Sequence, residues 1–152
     1  MVKLYQNFDI KKNDKGSIIL IGNFDGVHLG HQKLFKQAQF YKKKYNLKIG
    51  VVNFNPMPKM FFNQSLKNFR LSSISQKINL LNNQSVDFII TKKFDKTFSK
   101  TKSINFIKRI LSQKVDARFI FVSNNFRFGN KREGDVKFLT QHEMKFNYKV
   151  IK

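Results

Sequence analysis

"IGNFDGVHLGHQKL", residues Ile21 to Leu34, is the stretch from which the fold can be worked out. A short apolar run ends here, two histidines flank a glycine, and an amphipathic segment follows. Glycine lets the backbone turn tightly and approach a ligand closely, and the first N–H groups of a helix attract an anion. The stretch therefore predicts a phosphate site at a strand-to-helix turn, built from Gly22, Gly26, His28, Gly30 and His31.

Three other interpretations of this stretch were weighed. A glycine-rich turn can be purely structural, but that leaves two neighbouring histidines unexplained. A His-x-x-His pair could ligate zinc, but the chain has no Cys and only His142 would remain as a third imidazole. The glycine patterns of dinucleotide and P-loop sites are missing from the stretch. A phosphate site of another type is therefore favoured.

Composition indicates one ordinary globular domain. The chain has 152 residues, of which 41% are hydrophobic and 14% aromatic, which is too apolar for a disordered chain. No apolar run reaches the about 18 residues that a membrane helix needs, and the N-terminal sequence is too polar for a signal peptide. Because there is no Cys, disulfides are excluded. We expect a cytoplasmic protein.

The net charge of +21 raises the question of nucleic-acid binding. Of the 30 basic residues, 25 are Lys and 5 are Arg, and the lysines are spread along the whole chain. Solvated helix faces explain such a distribution better than a nucleic-acid groove. The positive field would still favour an anionic substrate.

Apolar runs alternate with segments of helical period. Strands are predicted at 17–24, 49–54, 86–91 and 117–122, with another beginning in the final "YKVIK", and helices at 31–46, 72–81, 101–111 and, shorter, 134–144. Ser73 and Gln76 form a capping-box pattern at the second helix, whereas 55–70 is expected to be an irregular connection. This alternation predicts a parallel sheet covered by helices on both faces.

Unusual residues follow three of the predicted strands. "GNFDGVHLGH" follows the first, "NPMPKMFF" the second and "SNNFRFGNKREGD" the fourth. Ligands of such sheets bind outside the carboxyl ends of the strands. The three loops are therefore expected to form one site.

Two sets of residues carry a resemblance to known proteins. His28-Leu29-Gly30-His31 resembles the His-x-Gly-His motif of nucleotidylyltransferases, which cytidylyltransferases and the pantetheine and nicotinamide adenylyltransferases share. "RLSSISQKINLL" and "NNFRFGNKREGDVKFL" look like the bacterial FAD synthetases, bifunctional proteins in which an FMN adenylyltransferase domain precedes a riboflavin kinase domain. The resemblance runs from about Ser17 to Leu139.

The resemblance implies an α/β, Rossmann-like nucleotidylyltransferase fold that makes FAD and pyrophosphate from ATP and FMN. Mg²⁺ would bridge phosphate oxygens with few protein ligands, so no metal residue is assigned. The implied catalytic residues are His28, His31 and Asn125. The implied nucleotide-binding residues are Gly22, Asn23, Phe24, Asp25, Gly26, Gly30 and Arg132. The implied FMN-binding residues are Pro56, Pro58, Phe62 and Phe128. Each of these residues also has a structural explanation when it is taken alone. Core packing would explain the apolar side chains, and a turn would explain Asn125. A solvated basic loop would explain Arg127, Lys131 and Arg132.

The chain also departs from the family pattern. Met57 replaces the histidine of Phe-x-Pro-His-Pro, and the loop after the fourth strand begins Val122-Ser123-Asn124 where the family commonly has Val-Gly followed by Glu or Asx. The later Ile-Ser-Ser-x-x-Ile-Arg segment and the kinase domain are not in the sequence, so residues 1–152 are interpreted as an adenylyltransferase domain that is incomplete at its C-terminus. A non-catalytic flavin- or nucleotide-binding remnant, another His-x-Gly-His enzyme and a basic nucleic-acid-binding module remain as alternatives.

Overall fold

A parallel sheet organises the residues that the computed structural model describes, which are 2–25, 29–63 and 74–152. Its strands run in the order β1-β4-β3-β2-β5-β8, and β6 and β7 form a separate antiparallel pair. The bounds are β1 Lys3–Tyr5, β2 Ile18–Ile21, β3 Ile49–Asn55, β4 Phe88–Lys93, β5 Phe119–Phe121, β6 Arg127–Phe128, β7 Gly134–Asp135 and β8 Lys149–Ile151. The predicted parallel sheet is confirmed.

Helices connect these strands. They are α1 Leu29–Tyr45, α2 Pro58–Phe62, α3 Ile74–Asn82, α4 Lys96–Ser99, α5 Ser103–Asn105 with its π-helical continuation Phe106–Lys114, α6 Val136–Gln141 and α7 Glu143–Phe146, with 3-10 turns at Lys12–Asp14 and Asn130–Arg132. In the part of the chain that the structure describes, none of the helices has the length and apolar character needed to cross a bilayer.

Both faces of the sheet are buried, as the sequence predicted. On one face, Ile19 and Ile90 belong to a core cluster with Ile107 of the π-helical segment. On the other face, Leu20 and Val51 belong to a second cluster with Phe35 of α1, Leu81 of α3 and their neighbours. Fully burying one such side chain is worth about 1.5–3 kcal/mol relative to exposing it. The two clusters therefore hold the strands between two helical layers.

Several local predictions were wrong. The connection 55–70 contains a helix, α2, which starts at Pro58 because proline suits the first helical position. The strand expected at 17–24 ends at Ile21, and Phe24 cannot continue it because its backbone is left-handed with φ 50°. The edge strand β1 and the β6–β7 pair have no counterpart among the predicted elements. Ser73 of the predicted capping box and residues 64–70 of the connection lie outside the described residues.

A buried carboxylate ties the edge strand to the sheet. The side chain of Asp14 is 2% exposed, and its two oxygens accept hydrogen bonds from Lys3 at 2.8 Å and Lys48 at 2.9 Å. The Tyr5 hydroxyl also donates to it. Burial alone would raise the pKa of Asp14, but the hydrogen bonds from Lys3, Tyr5 and Lys48 outweigh it and lower the pKa to about 2. Asp14 is therefore ionised in the folded protein near neutral pH.

The order of strands locates the place where a ligand would bind. From β2 the chain builds β3 and β4 on one side, and then it crosses to β5 on the other side of β2. In open α/β sheets, the crevice outside the carboxyl ends at such a reversal is the usual ligand site. Here it lies between the turn after β2, which starts at Gly22, and the turn after β5, which includes Ser123.

Candidate functional site

The turn after β2 is built around a buried ring. Phe24 is 4% exposed, and its ring packs edge-on against His31 with 5.0 Å between ring centroids. On its other side it contacts Phe35 at 5.1 Å. A Cβ on Gly22 would lie 3.1 Å from this ring, which explains why glycine suits that position. Phe24 is thus a core residue that packs against a histidine, and its predicted part in a nucleotide pocket stays a prediction.

His31 lies in the first turn of α1, a 17-residue helix. The N-terminal end of a helix of this length favours anions through its free N–H groups and its dipole. Gly30 belongs to the same first turn, and Asp25 lies in the turn that leads towards it. The other predicted members of the motif, Gly26 and His28, lie outside the described residues.

Asn23 connects this turn to the neighbouring strand. Its Oδ1 accepts a hydrogen bond from the backbone N–H of Phe54 at 3.4 Å, near the end of β3. It also lines a cavity of about 580 Å³, which begins beside the turn. Asn23 therefore belongs both to the turn after β2 that leads to His31, which we call the histidine turn, and to the wall of this cavity.

The cavity is predominantly aromatic. Of the predicted residues it brings together Asn23, Pro58, Phe62, Phe128 and Arg132. Its other aromatic lining residues were not predicted from the sequence: Phe54, Phe94, Phe98, Phe106 and Phe126. Phe126 and Phe128 are stacked at 5.3 Å with 16° between their planes. Phe62 is 63% exposed, so one large aromatic face remains accessible at the mouth. The site therefore suits a planar ligand.

Cationic side chains line the same cavity as these aromatic rings. Lys59, Arg127 and Arg132 line the same cavity, and none of its described lining residues is acidic. Lys131, which belongs to the same basic loop, does not line this cavity. Arg127 and Arg132 are both exposed, so their guanidinium groups can meet an anion from solvent. The cavity thus combines an apolar floor with cationic groups.

Pro56 does not join the other three predicted flavin contacts. It lines a second cavity of about 630 Å³ together with Asn53, Thr91 and Lys93. Side chains alternate between the two faces of a strand. Phe54 reaches both cavities, whereas its neighbours Asn53 and Asn55 line only the second. Two residues further on, Pro58 has already entered α2 and lies at the first cavity. The two prolines therefore line different cavities, and the contact of Pro56 with a flavin stays a prediction.

Met57 stands where the family pattern has a histidine. Its side chain is 5% exposed and is part of the core. Its carbonyl accepts hydrogen bonds from Met60 N–H at 2.8 Å and Phe61 N–H at 3.0 Å at the start of α2. The position therefore serves packing and the start of a helix in this chain.

Asn125 lies in the turn after β5, at the carboxyl edge of the sheet. It is exposed, and its Oδ1 accepts a hydrogen bond from the Ser123 hydroxyl at 2.9 Å. The Phe126 N–H donates to the Ser123 carbonyl at 3.1 Å, which closes the turn. The turn-forming interpretation is therefore satisfied, and the predicted contact with phosphate stays a prediction.

Within residues 2–25, 29–63 and 74–152, no group of three or more His, Cys, Asp or Glu side chains could hold a metal ion, and His28 of the His-x-x-His pair lies outside these residues. His142 packs between Phe138 and Phe146, at ring distances of 4.5 and 6.1 Å. Its Nδ1 is hydrogen-bonded to the carbonyl of Phe138 at 2.8 Å. This histidine serves the packing of α6 and α7.

A parallel sheet whose glycine turn, helix start and aromatic cavity meet at its carboxyl edge defines a Rossmann-like α/β protein of the nucleotidyltransferase kind. The chain belongs to the FAD synthetase family, whose model matches residues 10–152. This agrees with the resemblance found in the sequence.

The similar proteins are longer than this chain. The bifunctional riboflavin kinase/FMN adenylyltransferase of Buchnera aphidicola subsp. Schizaphis graminum is 39% identical over 143 residues, which are 94% of this chain and 46% of that protein. The protein of the same name from Escherichia coli K12 is 34% identical over 136 residues, 90% of this chain and 44% of that protein. The chain thus spans about half the length of these relatives.

A solved structure shares the fold. The crystal structure of a macrolide-efflux protein from Streptococcus pneumoniae superposes with a TM-score of 0.84 at 23% identity, covering 99% of this chain and 50% of that one. This likeness concerns the fold alone.

Proposed function

We propose that this chain is an FMN adenylyltransferase domain. A phosphate oxygen of FMN attacks the α-phosphorus of ATP, the bond between that phosphorus and the bridging oxygen to the β-phosphate breaks, and FAD and pyrophosphate result. The observation that carries the proposal is the aromatic, cationic cavity that shares Asn23 with the histidine turn. Membership of the FAD synthetase family is the second support for this reaction.

The cavity suits the flavin ring. Its volume of about 580 Å³ falls in the range of ordinary small-molecule pockets. An isoalloxazine ring is planar and apolar over most of its area, and aromatic side chains stack on such rings or meet them edge-on. We assign this contact to Phe62 at the mouth and to Phe126 and Phe128 at the wall. Arg132, which the resemblance places with the nucleotide-binding residues, lines the same cavity as these rings, so here we assign it, with Arg127, to the FMN phosphate.

The histidine turn suits the nucleotide phosphates. A positively charged or hydrogen-bonding imidazole at the start of α1 stabilises charge that grows on phosphate oxygens as the leaving group departs. No covalent intermediate is required, because bringing the FMN oxygen in line with the α-phosphorus supplies a large part of the barrier reduction. We assign this role to His31 and, by the family motif, to His28.

Mg²⁺ fits this arrangement as an ion held mainly by the substrate phosphates and water. When bound, it would neutralise phosphate charge in the leaving pyrophosphate. The protein's own part is to orient the two substrates.

The names of the relatives join this activity to a riboflavin kinase. Phosphorylation of riboflavin yields FMN, so we propose that a riboflavin kinase activity supplies the substrate of this domain.

The experiment is a comparison of acceptors. The chain is incubated with ATP, Mg²⁺ and one of FMN, phosphopantetheine or nicotinamide mononucleotide, and the products are separated by chromatography. FAD from FMN, with little product from the other two, is expected. A preference for another acceptor would sink the assignment, whereas FMN binding without product would identify a non-catalytic flavin-binding domain.

A further inference from the structure

The loop that carries Arg132 is fastened to the start of α5. The backbone N–H of Ser103, the first residue of that helix, donates to Oε1 of Glu133 at 3.0 Å. One residue before Lys131 and Arg132, the N–H of Asn130 donates to the carbonyl of Thr101 at 2.7 Å. Since the first N–H groups of a helix have no partner within it, Glu133 satisfies one that would otherwise need another acceptor.

Glycine at positions 129 and 134 allows the loop to approach Ser103 closely. A Cβ on Gly129 would lie 2.3 Å from Oγ of Ser103, and one on Gly134 would lie 2.8 Å from the same atom. Ser103 itself is 2% exposed, so it cannot move aside into solvent. The loop therefore lies directly against Ser103 on both sides of Glu133, against its backbone and hydroxyl at Gly129 and against its hydroxyl at Gly134.

Two residues of this loop have an unfavourable backbone conformation. Lys131 and Arg132 have φ values of 54° and 55°, the left-handed region that side chains with a Cβ disfavour. Such conformations persist where the surrounding structure fixes them, and they concentrate at functional sites. Asn130 is held on one side of the pair and Glu133 on the other, while Arg132 lines the aromatic cavity.

We propose that Glu133 is a positioning residue: its hydrogen bond to Ser103 keeps Arg132 left-handed and directs the guanidinium at the anionic part of the ligand in the cavity. The expected effect of Glu133 on flavin binding rests on the proposed function. Its effect on the backbone conformation of Arg132 does not. Glu133 touches neither substrate in this account and acts through Arg132.

The test is a double-mutant cycle with a conservative control. Glu133→Ala is expected to weaken FMN affinity about tenfold, a loss of about 1.4 kcal/mol. Glu133→Gln keeps an acceptor oxygen and should lose at most about twofold, since this hydrogen bond needs no charge. In an Arg132→Ala background, Glu133→Ala should add almost nothing, because the group it positions is gone.

Asp135 provides a matched control. Its carboxylate accepts the N–H of Phe138 at 2.8 Å and caps α6 from the same loop. Asp135→Ala should lower thermal stability, and its effect on FMN affinity should be the same with and without Arg132. A full tenfold loss from Glu133→Ala in the Arg132→Ala background would overturn the proposal.

A crystal structure of the Glu133→Ala chain separates this proposal from the proposed function. Arg132 is expected to leave the left-handed region. If its φ stays near 55°, the positioning role is wrong even if FMN is the substrate. If φ changes but the unaltered chain binds no FMN, the positioning role stands and the proposed function fails.

Discussion

The ring of Phe24 meets the imidazole of His31 edge-on, with 5.0 Å between the ring centroids and 76° between their planes. A buried side chain in a left-handed turn thus fixes one face of the histidine that we assign to the phosphates. Packing inside the core and the orientation of the proposed catalytic group are therefore linked at this contact.

Phe24→Leu tests this link. Because the smaller side chain leaves the imidazole less constrained, FAD formation should fall about tenfold, corresponding to 1.4 kcal/mol of transition-state stabilisation. FMN affinity should change little, since Phe24 does not line the aromatic cavity. Phe35→Leu is the matched control: it removes a fully buried phenylalanine that contacts Phe24. Equal losses of turnover in the two variants at similar stability would contradict a specific role for Phe24.

Phe62 and Phe40 allow a comparison at equal exposure, because they are 63% and 62% exposed. Phe62→Ala should weaken FMN binding about tenfold through the loss of ring stacking, and it should leave the unfolding temperature almost unchanged. Phe40 lies on α1 and does not line the cavity. Phe40→Ala should therefore leave FMN affinity as it is. A fluorescence titration of FMN measures both, and unchanged affinity in Phe62→Ala would remove Phe62 from the flavin site.

Asp14 should make stability dependent on acid. Its pKa is about 2 in the folded protein and about 3.9 in an unfolded chain. Because the folded value is lower, the stabilisation is fully present above pH 4 and is lost as the pH falls through 2. The shift corresponds to about 2–3 kcal/mol, so Asp14→Asn should lower the free energy of unfolding by about that amount at pH 7.

Urea unfolding of both chains between pH 7 and pH 2 measures this difference, which should shrink below pH 4. Asp9→Asn is the control, because that carboxylate is 72% exposed and pairs with Lys114 only at 3.3 Å. A difference between Asp14→Asn and the unaltered chain that is constant with pH would show that the carboxylate charge is not what stabilises this end of the sheet.

Gly129→Ala should destabilise the loop at the cavity. The new Cβ would lie 2.3 Å from Oγ of Ser103 and 2.8 Å from its backbone nitrogen, at a φ of 83°. We expect a loss of about 1–3 kcal/mol in the free energy of unfolding, measured by urea titration. Adding Ser103→Ala removes only the hydroxyl and should restore part of the loss. Complete restoration would show that the backbone contact and the positive φ contribute nothing.

The sequence predicted the parts of this molecule that follow from periodicity. Apolar runs such as Ile18–Ile21 gave the parallel strands, and the helical period from Leu34 to Tyr45 gave α1. Because carboxyl ends of parallel strands share an edge, the three special loops could also be placed together. Periodicity could not predict which cavity a residue lines once a strand has ended. Pro56, which follows β3, is an example.

The lining of the cavity was harder to predict for a chemical reason. The chain has 18 Phe, and a ring that packs in the core has the same chemistry as one that faces a ligand. Phe98 and Phe106 could be assigned only once α4 and the start of the π-helical segment were located. Likewise, the cap from Glu133 to Ser103 joins residues 30 positions apart and has no local pattern.

The most direct test of the account is the effect of His31→Ala on turnover and on FMN affinity in the same preparation. A group that stabilises mainly the transition state should affect turnover and spare binding. Loss of one such donor typically costs roughly 10²–10³-fold in rate, so FAD formation should fall by that factor while the dissociation constant of FMN changes less than twofold. His142→Gln, in a histidine that packs between Phe138 and Phe146, should leave both values unchanged. Near-full turnover in His31→Ala would contradict the account and make His31 a packing residue.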